Sequence, residues 1–139
     1  MADPIEILLT DGNTGESVCL FARWGYFAGE DALFLAMMHH KERWDDLFLI
    51  AHATMRSLFE LAGDEDETSM GISSSPGRST EQIHVDFKSM MIRKVSVDYS
   101  KEIPDQTTVQ QLWTFQEFYK NHLHVNGEMG GCHFGNFSL

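Results

Sequence analysis

Residues 5–27 read IEILLTDGNTGESVCLFARWGYF. Two apolar segments rich in strand-forming types, Ile5 to Leu9 and Val18 to Phe27, flank Asp11-Gly12-Asn13-Thr14-Gly15. That cluster supplies residues that tolerate positive φ and close turns, so the stretch predicts a β-hairpin. Along the second arm Cys19, Phe21 and Arg23 alternate with Leu20, Ala22 and Trp24, which predicts partial cover on both faces.

Downstream of the hairpin, Gly29-Glu30-Asp31 opens a helical stretch that runs to Ala62, with Gly63 as its stop. Phe34, Met37, Lys41, Trp44, Phe48, Ala51, Met55, Leu58 and Ala62 follow three–four spacing, and His39 to Asp46 contains neither Gly nor Pro. The stripe stays in phase across that octet, which predicts one long helix of about 50 Å. Such a helix outruns a small domain, so part of its stripe is expected to pack on something beyond its own core, a homodimer being the simplest arrangement.

Residues 64–80, DEDETSMGISSSPGRST, are polar and without period, and are expected to form a mobile acidic, Ser/Gly-rich loop. Ile83, Val85 and Phe87, then Val95, Val97 and Tyr99, alternate with polar residues and predict two central strands. Ser79-Thr80-Glu81-Gln82 also resembles a capping box, so a helix through Met90 is the competing reading of the first of them. A C-terminal helix is expected from Asp105, with Val109, Leu112, Trp113, Gln116, Tyr119 and Leu123 as its stripe and Asn126-Gly127 as its end. The expected architecture is a single α+β domain over 1–139. It has a mostly antiparallel sheet, built from the N-terminal hairpin and two central strands, packed with one long helix and one C-terminal helix.

Charge narrows the function classes. Of 21 acidic residues 14 lie within 1–67, alongside only 4 of the 10 basic ones, and the chain carries a net −11. A field of that sign repels phosphate backbones and anionic lipid, so neither nucleic acid nor membrane is expected as a partner; it attracts a basic protein surface. No apolar run reaches the ~18 residues a bilayer needs. The first ten residues lack a basic-then-apolar leader pattern, and Cys19 and Cys132 form no disulfide framework, so a reducing cytoplasmic location is expected.

Motifs for chemistry are sparse. His122-x-His124 with Cys132-His133 offers zinc-type donors, yet the adjacent Cys132 and His133 depart from the two-to-four spacing of structural sites. His39-His40 and His52 lie too far apart to chelate, and no His-Glu-x-x-His string occurs. The run Asp64-Glu65-Asp66-Glu67 lacks the Gly and the bidentate Glu of a calcium loop. His84 and Asp86 share a strand face and could carry acid–base chemistry. No cofactor is expected. Trp44 with Glu42, Asp45 and Asp46 makes an apolar anchor ringed by carboxylates, the composition that docks a basic protein surface. The expected function is therefore non-enzymatic: an acidic inhibitor, immunity-type or chaperone-like domain binding through Glu42, Trp44, Asp45 and Asp46 and the acidic run Asp64, Glu65, Asp66 and Glu67. The alternatives are a small metal- or His-dependent enzyme built on His84, His122, His124 and His133, and a structural subunit that assembles through the long helix.

Overall fold

Where apolar and polar residues alternate, the chain forms strands, and these pair into a sheet. A computed structural model describes residues 4–22, 29–62, 70–74, 77, 80–97 and 107–128. In chain order the elements are β1 (Ile5–Asp11), β2 (Glu16–Ala22), α1 (Gly29–His39), α2 (Leu47–Ala62), β3 (Met70–Ser73), β4 (Glu81–Asp86), β5 (Met91–Val97), β6 (Thr107–Thr114) and α3 (Phe115–Glu128). The six strands form one sheet ordered β3-β2-β1-β4-β5-β6. Only β1 and β4 run parallel, and the other four pairings are antiparallel. The fold is α+β with a mostly antiparallel sheet, and the expected N-terminal hairpin forms over Ile5–Asp11 and Glu16–Ala22, while residues 23–27 of its expected second arm lie outside the described residues.

One face of the sheet carries the core. Ile5, Ile7 and Leu9 of β1 share it with Leu20 and Ala22 of β2, Ile83 and Val85 of β4, Ile92 of β5 and Trp113 of β6. Against these pack Leu33, Phe34 and Met37 of α1, Ile50 and Leu58 of α2, and Phe118 of α3, all buried. Each fully buried large apolar side chain contributes about 1.5–3 kcal/mol, so this face carries most of the stabilisation. The opposite face follows from the register: Glu6, Leu8 and Thr10 alternate with the core residues of β1, and Gln82, His84 and Asp86 stand beside them on β4.

Three elements depart from the sequence reading. The long helix is two helices, α1 and α2, packed against each other. The break at 40–46 is made by two four-residue turns, in which Arg43 N–H donates to His40 O at 2.9 Å and Asp46 N–H to Arg43 O at 3.1 Å. Asp46 then caps α2, its Oδ1 accepting from Leu49 N–H at 3.1 Å. Folding the pair back buries α1 on all sides, from Ala32 to Met38 without interruption, which a straight helix would leave half exposed. The apolar stripe is thereby largely consumed within the chain, and the motive for a helix-mediated dimer goes with it.

Second, residues 70–73 of the expected loop form a strand on the free edge of β2. Four residues are too few to show a period. The remaining acidic part, Asp64 to Glu67, lies outside the described residues. Third, Val109, Leu112 and Trp113 lie on β6, and the helix starts only at Phe115. A capping box fixes that boundary: Thr114 N–H donates to Glu117 Oε1 at 2.9 Å, and Glu117 N–H to Thr114 Oγ1 at 3.0 Å. The capping-box alternative at Ser79–Gln82 yields to strand β4.

Candidate functional site

The hairpin turn and the α1–α2 connector meet at one end of the sheet. The turn is held locally: Asp11 Oδ1 accepts from Asn13 N–H at 2.9 Å, Gly15 N–H donates to Asp11 O at 2.8 Å, and Gly15 takes φ of 78°, a conformation that suits glycine. This register sets Asp11 directly opposite Glu16. Like charges facing across a ladder are unfavourable, a cost that the turn bond accepted by Asp11 offsets on one side only.

Between turn and connector lies an open cleft of about 370 Å³, lined by Asp11, Glu16, Arg43, Asp45, Asp46, Leu47 and Phe48. Four carboxylates face one guanidinium. Arg43 is engaged by Asp46 at 2.6 Å, and among the described residues Asp11, Glu16 and Asp45 take part in no ion pair. The Leu49 backbone N–H, followed by the Arg43 guanidinium, holds the Asp46 carboxyl below the usual carboxylate range. Phe48 stands in the cleft 54% exposed, an apolar platform among negative groups. A lysine or arginine side chain fits this combination, with its cation among carboxylates and over an aromatic face.

Of the residues expected to bind a partner, Glu42 and Asp45 are exposed on the connector. Asp46 lines the cleft but also caps α2. Trp44 turns inward: its indole N–H donates to Met37 O at 2.9 Å and its ring packs on Tyr119, centroids 5.4 Å apart. Phe48 occupies the position of apolar anchor that the sequence suggested for Trp44. Asp11 and Glu16 were not legible as site residues, because only folding brings the hairpin turn to the connector.

Compared with protein-family models, curated proteins and solved structures, the chain matches none.

His84 and His122 do not converge. His122 lies on the helix side, where its Nδ1 meets Phe118 O at 2.7 Å and its Nε2 meets Glu30 Oε1 at 3.4 Å. Glu30 also accepts from Lys94 Nζ at 3.1 Å, giving a partly buried triad across α1, β5 and α3. Burial alone would raise the Glu30 pKa, but hydrogen bonds from His122 and Lys94 and the Lys94 charge outweigh it and hold the group below its ordinary value. His84 stands on the other face of the sheet, its Nε2 at 2.8 Å from Gln82 Oε1. Burial, then the Arg93 charge, lowers its pKa, and Glu6 opposes them. Asp86 is turned to the β4–β5 turn, where its Oδ1 accepts from Lys88 N–H at 2.9 Å. His84 and His122 thus cannot share one centre. The side chain of His124, and Cys132 and His133 altogether, lie outside the described residues, and among those described no group of three or more His, Cys, Asp or Glu could hold a metal ion.

Beside His84, on the same face, Glu6 is only 3% exposed and accepts from Cys19 Sγ at 3.7 Å and from Gly77 N–H. Burial, reinforced by the Glu6 charge, pushes the Cys19 thiol up to about 12. A thiol so placed stays protonated and is a poor nucleophile. The cluster joins β1, β2 and β4 and anchors Gly77 over them.

Proposed function

We propose that this chain is a non-enzymatic binding domain that docks a basic protein surface in the acidic cleft, as an inhibitor, immunity-type or chaperone-like partner of the protein it captures. The observation that carries the reading is exposed Phe48 seated among Asp11, Glu16 and Asp45, three carboxylates with no ion pair among the described residues. An aromatic anchor with a charged rim divides the work: the rim steers and selects, the anchor holds. The net charge of the chain has the same sign as the cleft, which turns nucleic acid away. Among the described residues no helix is long and apolar enough to cross a membrane. A reducing cytoplasmic setting belongs to this proposal, since the chain has two cysteines and Cys19 is a free, buried thiol.

The enzyme reading has less support, because among the described candidate histidines His84 and His122 stand on opposite faces of the sheet, His84 beside Gln82 and His122 beside Glu30. A helix-assembled subunit has less support, because Phe34, Met37, Ala51 and Leu58 of the expected stripe are buried within the chain and Phe48 is its large exposed residue.

Capture from the source cell, with wild-type protein and the Glu16→Lys/Asp45→Lys/Phe48→Ala variant as parallel baits, tests the proposal. A basic protein should be retained by wild type and lost by the variant at unchanged fold. Phe48→Ala alone should weaken that complex by about 2 kcal/mol, roughly 30-fold. Equal retention by both baits moves the binding site off the cleft and refutes the proposal.

A further inference from the structure

At the far side of the sheet from β3, strand β6 forms the outer edge. It reads TTVQQLWT, eight residues without charge or proline, in a chain whose residues are 22% charged. Edge strands are ordinarily guarded against pairing by charge, proline, shortness or a bulge, and β6 has only the last. Lys94 pairs with Gln111 and the next residue, Val95, with Val109, so Gln110 is the extra residue of the bulge. Leu112 stands opposite Arg93 and Val109 opposite Val95. Arg93 and Val95 are two apart on β5 and share a face, the one turned away from the helices. Val109 and Leu112, three apart, therefore share it as well, and they are 48% and 55% exposed.

This arrangement is self-complementary. Two copies of β6 laid antiparallel about a two-fold axis between Gln110 and Gln111 set Val109 of each against Leu112 of the other, on the same face, and oppose Gln110 to Gln111 at the axis. A regular strand could not do so, because residues three apart would lie on opposite faces; the bulge creates the match. Charge selects the same edge. The acid-rich half of the sequence supplies β1, β2, α1 and α2, whereas β6 belongs to the half in which 7 acidic residues meet 6 basic ones. Pairing there keeps the two acidic halves apart.

We propose that the chain associates with a second copy of itself along β6, joining two six-stranded sheets into one through main-chain hydrogen bonds and the reciprocal Val109–Leu112 contacts. Sedimentation of the full chain from low micromolar to near-millimolar concentration should show reversible doubling of the 15.8 kDa mass. Leu112→Lys, an exposed position where folding is not at stake, brings two ammonium groups close to the axis and should raise the dissociation constant on the order of 100-fold. In a Cys132→Ser background, Val109→Cys chains mixed with Leu112→Cys chains should form a disulfide-linked heterodimer, while either variant alone cross-links far more slowly. The Glu16→Lys/Asp45→Lys chain should dimerise like wild type, which separates this surface from the cleft. A mass that stays at one chain throughout, or a dimer that tolerates Leu112→Lys and cross-links Val109→Cys to itself as readily, overturns the proposal.

Discussion

Glu30 shows how single residues are committed in this molecule. Its carboxylate lies between Lys94 and His122, and its pKa is held below the ordinary glutamate value despite burial. A carboxylate whose pKa is depressed on folding contributes stability that is complete above its unfolded value, about 4.3, and is lost as pH falls through the lower folded value. Glu30→Gln should therefore cost about 2 kcal/mol in urea unfolding at neutral pH, where Lys94 loses its counter-charge, and the deficit should shrink near pH 3. An equal deficit at both pH values would contradict the triad. Glu30 and His122 stand 92 residues apart, so no local pattern announces the pairing. In the sequence His122 reads as a zinc-type donor instead, although both His122 and His124 fall in α3, where a spacing of two is out of phase with the helix. Asp45 and Asp46 were legible as acidic residues beside an aromatic. That the aromatic is Phe48 and not Trp44 depends on the indole's bond to Met37 O, which only the folded chain makes.

Elements were legible where local chemistry and burial agree. The hairpin is one such case, because its turn residues and its alternation point the same way. The helix pair is the opposite case: a stripe in phase through 29–62 conceals a break that Asp46 and the turns around Arg43 impose. The signal was present in another form, since Ala32 to Met38 is apolar on every side and so belongs to a buried helix, whereas α2 is one-sided. Thr114-x-x-Glu117 likewise marked the true start of α3, but the apolar spacing of Val109, Leu112 and Trp113 imitated a helical stripe on a bulged strand. Amide hydrogen exchange separates the two accounts of the helical region. Residues 41–45 should exchange much faster than 33–38 and 51–58, because the connector lacks continuous i→i−4 bonding and is largely exposed. Uniform protection from 29 to 62 would restore a single helix and dismantle the cleft.

At the scale of the whole molecule the sheet divides the labour. Its helix face holds the core, its opposite face holds a closed polar cluster with an unreactive thiol, and its outer edge β6 is uncharged. The four carboxylates that line the cleft, Asp11, Glu16, Asp45 and Asp46, all come from the acid-rich first half of the sequence. Steering by such a field is a matter of encounter rate and falls with screening, since the Debye length contracts from about 30 Å at 0.01 M salt to about 8 Å at 0.15 M. The direct measurement is stopped-flow association of wild type and the Glu16→Lys/Asp45→Lys variant with the captured partner over that salt range. The wild-type on-rate should fall about tenfold or more as salt rises, while the variant starts slower and shows a much flatter dependence. A wild-type rate indifferent to salt, or a variant with the same rate and slope, would contradict docking of a basic surface in the cleft.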